Sequence, residues 1–332
     1  MKYLSNISVV ELAMYLPLPY AGAFMAKMGA EVCKIEMPVK GDPLKSIDRG
    51  IYEFLNKDKK IIYKNLKDEE HIKDIKELIL KSDVVLNGFR RGYLDKIGLG
   101  YKDISKVNKD IIYINLYGYP KEMNIKDKAG HDINFLALSG ILDELNRFEK
   151  FTKPLPIQIA DMSGALWAII GTLLMLIKRK KEKLGGEIDM SLFSSLLSFM
   201  PFFYYAEAGG EIEKGLFSGS NPFYNIYRCK DGGLFALGCV EDKFTRRLLE
   251  IFNIKVAENL SPEKKKRLYF KELKRIFSSH NRAYFVKLFE KEDICVNPVI
   301  NKNEFHRLMR KNIVKKRDTM NYMAFPIRGD EI

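Results

Sequence analysis

One stretch of the sequence places a histidine and an aspartate at the start of an apolar segment. Residues 129–140 read AGHDINFLALSG, and the second half has the pattern of a helix. Asp132 is a favourable N-cap for that helix and would hold His131 just outside the positive end of the helix dipole. An imidazole in that place stays neutral more easily and can act as a base. Amide N–H groups at the same helix end could donate hydrogen bonds to the oxygen of an enolate or a thioester.

The same residues also have a plain structural interpretation. The sequence Gly130-His131-Asp132 could be only the capped start of a helix with an exposed histidine, and the spacing alone favours that. The other three histidines lie in charged helical segments, where solvated surface positions are expected. His131 is therefore the histidine that is the best candidate for a catalytic role.

Two further carboxylates stand where a ligand could reach them. Asp161 directly precedes an apolar helix predicted to begin near Ala165, so its ordinary role would be a cap. Apolar neighbours on both sides would also raise its pKa and could tune it as a proton donor. Glu241 follows a predicted strand, and side chains at strand ends often face a ligand.

The composition is that of a large globular chain with a basic balance. Its 332 residues are 46% hydrophobic and 30% charged, which excludes disorder, and no fixed repeat marks a solenoid. The formal net charge of +13 favours an anionic partner such as nucleic acid, a membrane surface or a phosphorylated ligand. Because the lysines are mostly spread among acidic residues and no recognition motif accompanies them, nucleic acid is not expected.

The cysteines and the apolar stretches argue against a metal ribbon, a disulfide framework and a membrane partner. No C-x-x-C pair occurs, so the four cysteines are expected to be small buried side chains. The apolar stretches 166–177 and 192–206 are each shorter than the roughly 20 residues of a bilayer span, and they predict buried helices. Residues 1–6 lack a signal-peptide pattern, so a cytoplasmic protein is expected.

The elements that must position these residues alternate between strand and helix. Strands are predicted at 7–13, 31–36, 83–89 and 111–116, and helices at 21–29 and 68–81. This alternation predicts a doubly wound α/β domain with a mostly parallel sheet and helices on both faces. No G-x-G-x-x-G follows the first strand, so a dinucleotide cofactor is not expected.

The second half of the chain predicts a smaller domain. Residues 160–205 have the pattern of two long, largely buried helices separated by a charged loop at 178–186. Two strands, 225–228 and 234–238, then flank a glycine-containing hairpin turn, and lysine-rich amphipathic helices follow. The predicted organisation is a large domain at 1–200, a linker at 201–218, a smaller α+β domain at 219–299 and a C-terminal extension at 300–332.

Together these segments resemble the family III CoA-transferase and racemase superfamily, and most closely its α-methylacyl-CoA racemase branch. The histidine of GHDINF at 130–135 indicates that branch, because transferases of the family typically lack it. Motifs shared by both branches are VELA at 10–13, MGAEV at 28–32, KIE at 34–36, GFR at 88–90, IGLGY at 97–101 and DMS at 189–191. The similarity continues through NPFY at 221–224, GCVE at 238–241 and CVNPV at 295–299.

The resemblance implies epimerisation of 2-methylacyl-CoA thioesters through an enolate, with the α-proton removed on one face and returned on the other. His131 and Asp161 match the family's two bases. Glu241 matches the partner of the histidine, and Asp132 matches the partner of the aspartate. Neither a metal nor a separate cofactor is implied, because CoA is part of the substrate. The alternative is a family III CoA-transferase, which moves CoA between carboxylic acids. Asp161 would then be a nucleophile that forms an acyl anhydride and afterwards a thioester with CoA.

The resemblance also implies an assembly and a CoA site. The assembly is an interlocked homodimer with active sites shared between chains, so that Glu241 acts in trans, and the C-terminal extension returns to the large domain. Met37 stands where many relatives have an arginine against CoA, so that contact is either lost or supplied by Lys34 or Lys40. The implied CoA contacts are Asn56, Lys57, Lys59, Lys60, Gly88, Phe89, Arg90, Lys96, Gly130, Ile133, Asn134 and Phe135.

Overall fold

The computed structural model describes residues 3–146, 154–201, 204–205 and 219–312. These residues fall into two compact units that divide between residues 201 and 202. Most of the predicted linker at 201–218 lies outside the described residues, as does the part of the predicted C-terminal extension beyond residue 312.

A six-stranded parallel sheet organises the first unit. Its strands are β1 (Ser8–Leu12), β2 (Glu31–Glu36), β3 (Lys60–Tyr63), β4 (Val84–Asn87), β5 (Ile112–Tyr117) and β6 (Gly186–Ser191). They lie in the order β3-β2-β1-β4-β5-β6, so the order reverses between β1 and β4. Every neighbouring pair is parallel, which confirms the predicted doubly wound α/β class.

Helices cover both faces of this sheet. They are α1 (Pro17–Lys27), α2 (Leu44–Ile47), α3 (Arg49–Asn56), α4 (Glu69–Leu80), α5 (Tyr93–Lys96), α6 (Tyr101–Ile104), α7 (Asp132–Leu138), α8 (Ile141–Asn146), α9 (Ile159–Glu182) and α10 (Leu192–Leu197). One core joins α1 and α9 to Val84 and Ile114 of the sheet, and a second joins α4 to Val85 and Tyr113. The central strands are apolar on both sides because both faces are buried.

The prediction of two long buried helices over 160–205 is wrong. Helix α9 ends at Glu182, strand β6 follows it, and α10 is short. The strand β6 has the sequence GEIDMS, in which half-buried residues alternate with exposed ones because it lies at the edge of the sheet. The opposite edge strand β3 was also not predicted, since it has only four residues and a polar start.

Helix α9 also has an apolar stripe on its surface. Leu166, Ile170, Leu174 and Ile177 are 41–57% exposed and recur at helical spacing. Among the described residues α9 is the one helix long and apolar enough to cross a bilayer, but half of its most apolar window is buried in the protein, as in a core helix. The stripe is therefore an exposed apolar face on a helix that is otherwise packed into the first unit, and apolar faces of this kind often mark interaction surfaces.

The second unit is a small α+β assembly, which agrees with the predicted fold class. Strands β7 (Tyr224–Arg228), β8 (Leu234–Gly238) and β9 (Val296–Val299) form an antiparallel sheet, and its β7–β8 hairpin confirms the predicted turn. The rings of Phe235, Phe277 and Phe285 pack in its core. Its helices are α11 (Asp242–Ile251), α12 (Pro262–Ser279), α13 (Arg282–Phe289) and α14 (Lys302–Asn312).

Candidate active site

A cavity of about 520 Å³ opens at the carboxyl edge of the parallel sheet. Its wall includes segments that directly follow four strands, namely 13–15, 88–91, 117–118 and Leu192. In open α/β sheets ligands bind outside the carboxyl ends of the strands, where the strand order reverses. His131 and Asp161 both line this cavity, so the structure brings together the two residues predicted to be bases.

A larger cavity of about 820 Å³ lies in the second unit, against β7 and α12. The residues that line it include Arg228, Lys230, Lys271 and Lys274, and no histidine or carboxylate is among them. Because it offers no acid–base pair, it is a weaker candidate for an active site than the smaller cavity.

His131 immediately precedes α7 and is itself the N-cap residue. Its N–H donates to Asn134 Oδ1 at 2.9 Å, and the Asn134 N–H donates to the His131 carbonyl at 2.8 Å. His131 and Asn134 thus form a capping box at the start of α7. The His131 ring meets the Tyr15 ring edge to face, with centroids 5.8 Å apart and planes at 84°. His131 is exposed at the mouth of the cavity that it lines.

Asp132 caps a different helix from the one expected. Its Oδ1 accepts hydrogen bonds from the amides of Ala160 at 2.7 Å and Asp161 at 3.1 Å, in the first turn of α9. The prediction that Asp132 caps α7 is therefore wrong. A carboxylate at this position satisfies amides that have no acceptor within their own helix and stabilises the positive end of the α9 dipole. The contact also ties the start of α7 to the start of α9.

Asp161 lies inside the first turn of α9, which begins at Ile159 rather than near Ala165. Burial raises the pKa of Asp161 to about 7, and the nearby Asp132 carboxylate contributes to the rise. Burial also raises the pKa of Asp132, although the hydrogen bonds that its carboxylate accepts from two backbone amides act to lower it. At neutral pH the Asp161 carboxyl is therefore present in both protonation states and can give or take a proton.

Glu241 lies in the second unit, where it is exposed and directly precedes α11. It follows β8 by three residues, close to the predicted strand end. Its pairing with His131 stays a prediction.

The predicted CoA contacts divide by position. Those that line the cavity are Gly88, Phe89, Arg90 and Gly130. Those that are exposed elsewhere on the first unit are Lys57, Lys60, Lys96, Ile133 and Asn134. Asn56 is buried, and its Nδ2 donates to the Tyr52 carbonyl at 2.8 Å.

Two predicted CoA contacts point into the protein instead. The Lys59 side chain is buried, and its Nζ lies 2.7 Å from Glu11 Oε2. The Phe135 ring is fully buried and packs against Tyr119, with centroids 5.1 Å apart. The expectation that these two side chains touch CoA is corrected, because neither presents a surface to a ligand.

A buried charge cluster, formed by Glu11, Lys34, Asp42 and Lys59, was not predicted. Lys34 Nζ lies 3.0 Å from Glu11 Oε1 and 2.7 Å from Asp42 Oδ2, and all four side chains are inaccessible to solvent. Burial lowers the pKa of Lys59 to about 8. Burial also acts to lower the pKa of Lys34, but the two carboxylates outweigh it and the pKa is raised. Lys34 therefore cannot replace the arginine that is absent at Met37.

The types of the residues in β1 and β2 could have indicated this buried charge cluster, although their spacing could not. Glu11 and Lys34 lie among buried apolar residues in adjacent strands, and buried charges are stable only when they are paired. A charged residue in a strand predicted to be buried on both faces is thus a sign of a buried pair. The partners Asp42 and Lys59 lie in connecting segments, so their identity requires the fold.

A titratable pair in a cavity at the switch point of an open parallel sheet defines an enzyme of the doubly wound α/β class. The sequence model of CoA-transferase family III matches residues 4–331, and the chain belongs to that family.

Relatives include both kinds of family member. The chain is 32% identical over 313 residues to a CaiB/baiF CoA-transferase family protein of Caenorhabditis elegans, covering 91% of this chain and 87% of that protein. It is 29% identical over 306 residues to human alpha-methylacyl-CoA racemase (90% and 78% covered) and 28% identical over 322 residues to human succinyl-CoA:glutarate CoA-transferase (92% and 73%). A solved structure from Mycobacterium tuberculosis shares the fold, with a TM-score of 0.81 at 19% identity, covering 94% of this chain and 88% of that one.

Proposed function

We propose that this protein interconverts the R and S epimers of 2-methylacyl-CoA thioesters. The observation that carries the proposal is that His131 and Asp161 line one cavity, and the pKa of Asp161 lies near 7. Inverting a carbon centre requires one group that removes the proton from one face and another that delivers a proton to the opposite face. An imidazole and a carboxyl that titrates near neutrality can exchange these two roles.

In one direction the neutral imidazole of His131 removes the α-proton while the protonated Asp161 delivers a proton to the opposite face. In the other direction the Asp161 carboxylate removes the proton and the imidazolium delivers one. The enolate oxygen would bind the amides of Asp132 and Ile133, because the first amides of α7 have no acceptor within the helix. The cycle as proposed has no step for a metal or a redox cofactor.

We propose that cations on the first unit bind the phosphates of CoA. Arg90 lies in the wall of the cavity, and an arginine can bind a phosphate with two parallel hydrogen bonds. Lys57, Lys60 and Lys96 are exposed on the same unit and would add further contacts, although solvated lysines are the ordinary alternative. We also propose a homodimer in which Glu241 of one chain partners His131 of the other and fixes its protonation state.

The test is to incubate one epimer of a 2-methylacyl-CoA in deuterated water without any acceptor acid. We expect deuterium at the α-carbon together with loss of stereochemical purity, measured by mass spectrometry and chiral separation. Both signals should be lost in His131→Gln and in Asp161→Asn. His306→Gln, which changes an exposed histidine of the second unit, is the matched control and should keep full activity.

The alternative function is CoA transfer, which the succinyl-CoA:glutarate CoA-transferase relative and the position of Asp161 favour. The Asp161 carboxylate would attack the thioester carbonyl, releasing CoA as a thiolate and leaving a mixed anhydride. No deuterium exchange, but transfer of CoA once a free carboxylic acid is added, would support this reaction. His131→Gln would then keep its activity, because transfer has no need of a second base.

A further inference from the structure

Tyr15 follows β1 with a backbone conformation that side chains with a Cβ rarely adopt. Its φ is 67°, in the left-handed region, where the Cβ crowds the following carbonyl oxygen. Such strain persists only where the surrounding structure over-determines the conformation, and it is concentrated at functional sites. Tyr15 lines the same cavity as His131 and Asp161.

The carboxylate of Asp42 fixes this conformation. The Tyr15 N–H donates to both Asp42 oxygens, at 3.1 and 3.2 Å. Asp42 is 1% exposed and also accepts hydrogen bonds from Lys34 Nζ at 2.7 Å and from the Leu44 amide at 3.0 Å. Lys34 is held in turn by Glu11, so the buried charge cluster anchors the segment after β1.

The side chain that this backbone presents meets the imidazole of His131. The two rings are edge to face, at 5.8 Å and 84°, which is a favoured geometry for aromatic pairs. The second side-chain torsion of histidine has broad minima, so the imidazole can turn about this bond unless its neighbours prevent it. Contact with the Tyr15 ring restricts that rotation.

We propose that Tyr15 is a positioning residue that orients the His131 imidazole for proton transfer at the α-carbon. This rests on the proposed function, in which His131 is one of two bases. The aromatic ring makes the contact with the imidazole and the phenol oxygen does not, so phenylalanine at this position should orient His131 equally well. The buried charge cluster then contributes to the site as well as to the fold, because it holds Tyr15 in the left-handed conformation.

Tyr15→Gly is the decisive variant, because glycine adopts a φ of 67° without strain and only the side chain is lost. We expect kcat for α-proton exchange to fall roughly tenfold to a hundredfold, as for other misplaced catalytic groups, with a much smaller change in KM. Tyr15→Phe should keep the wild-type kcat. Lys183→Gly makes a similar backbone change at a φ of 55°, outside the cavity, and should have no effect on activity. Tyr15→Asn, which also tolerates this region, is the second variant should the first not fold.

Nuclear magnetic resonance of histidine-labelled, ligand-free protein makes the contact visible without substrate. The His131 ring signals, assigned by their loss in His131→Gln, should move in Tyr15→Gly, where the ring current of Tyr15 is removed, and stay in place in Tyr15→Phe. Unmoved signals in Tyr15→Gly, or an unchanged kcat, would overturn the proposal. If wild-type protein exchanges no deuterium but the signals move as expected, the proposed function fails while the contact between the rings stands.

Discussion

Asp132 and Asp161 are neighbouring carboxylates, and burial raises the pKa of both, but they differ in the hydrogen bonds that they accept. The Asp132 carboxylate accepts hydrogen bonds from the amides of Ala160 and Asp161 at the start of α9. These two amides therefore stabilise the charge of Asp132 and not that of Asp161. Asp161 is left half-buried beside a second carboxylate, which raises its pKa to about 7. The start of α9 thus has one carboxylate that caps the helix and a second that titrates near neutral pH, where it can give or take a proton.

The raised pKa of Asp161 makes a prediction about stability. The native state binds this proton more tightly than the unfolded chain, so the contribution to stability is full below about pH 4 and is lost as pH rises to 7. Asp161→Asn should therefore be more stable than wild type at pH 8, by on the order of 2 kcal/mol after discounting for partial exposure, and equally stable near pH 4. Urea unfolding at both pH values measures this. Asp58→Asn, at an exposed position, should differ little at either pH, and an equal effect of Asp161→Asn at both would contradict the prediction.

Arg90 makes a prediction about substrate binding. If it binds a CoA phosphate equally in the ground state and the transition state, Arg90→Ala should raise KM about tenfold and leave kcat nearly unchanged. Initial rates of deuterium exchange at several acyl-CoA concentrations separate the two constants. Arg228→Ala, which removes an exposed arginine of the second unit, is the control. A loss confined to kcat would place Arg90 in the chemistry instead.

Among the elements, α1 packs unusually closely on the buried charge cluster. A Cβ at Gly22 would lie 2.0 Å from Glu11 Oε2 and 3.3 Å from Lys59 Cε. The glycine therefore leaves room for a carboxylate that two lysines hold in place.

Gly22→Ala should consequently destabilise the protein by about 2 kcal/mol or more, although alanine ordinarily stabilises a helix by roughly 1 kcal/mol relative to glycine. The reason is that Glu11 must move away from Lys34 and Lys59 to admit the methyl group. Urea unfolding provides the measurement. Gly50→Ala, where a new Cβ would lie 3.3 Å from the exposed Asp48 carboxylate, should cost much less, because that side chain can move into solvent. An equally small cost for Gly22→Ala would show that the cluster can shift freely.

Comparison of the predicted and observed strands shows which parts of the fold and of the candidate site can be predicted from the sequence. Interior strands such as β2 and β5 were predicted within about one residue, because neighbouring apolar residues, which face opposite sides of a strand, indicate burial on both faces. The edge strands β3 and β6 were missed because exposure on one side removes that pattern. His131 and Asp161 were found from local motifs. The cap that Asp132 makes on α9 spans 28 residues of sequence, so only the fold could reveal it.

For the whole molecule, the apolar stripe of α9 makes a prediction about assembly. We expect a homodimer in which a second copy covers this stripe, since exposed apolar faces of this kind usually mark interfaces. Light scattering after size-exclusion chromatography should give twice the mass of one chain. Leu174→Glu with Ile177→Glu should shift the protein toward monomer, whereas Val107→Glu, at an apolar position 70% exposed, should not. A wild-type monomer would contradict the prediction.

The proposed sharing of active sites between two chains makes a second prediction at this scale. Asp161→Asn and Glu241→Gln should each be inactive alone, yet co-expression should restore about a quarter of wild-type activity, because half of the dimers are mixed and each has one intact site. If Glu241 acted within its own chain, every site in a mixed dimer would carry one substitution. Co-expression would then restore nothing. The activity of the purified mixed dimer distinguishes the two arrangements.

The buried charge cluster also limits how the chain can diverge. Its two lysines and two carboxylates sum to zero charge, and replacing any one of them alone would leave an unpaired charge away from water. Descendants of this sequence are therefore expected to change these positions in pairs or not at all. The same cluster holds Tyr15 against His131. Substitutions in the cluster are therefore expected to lower the turnover number before they unfold the protein.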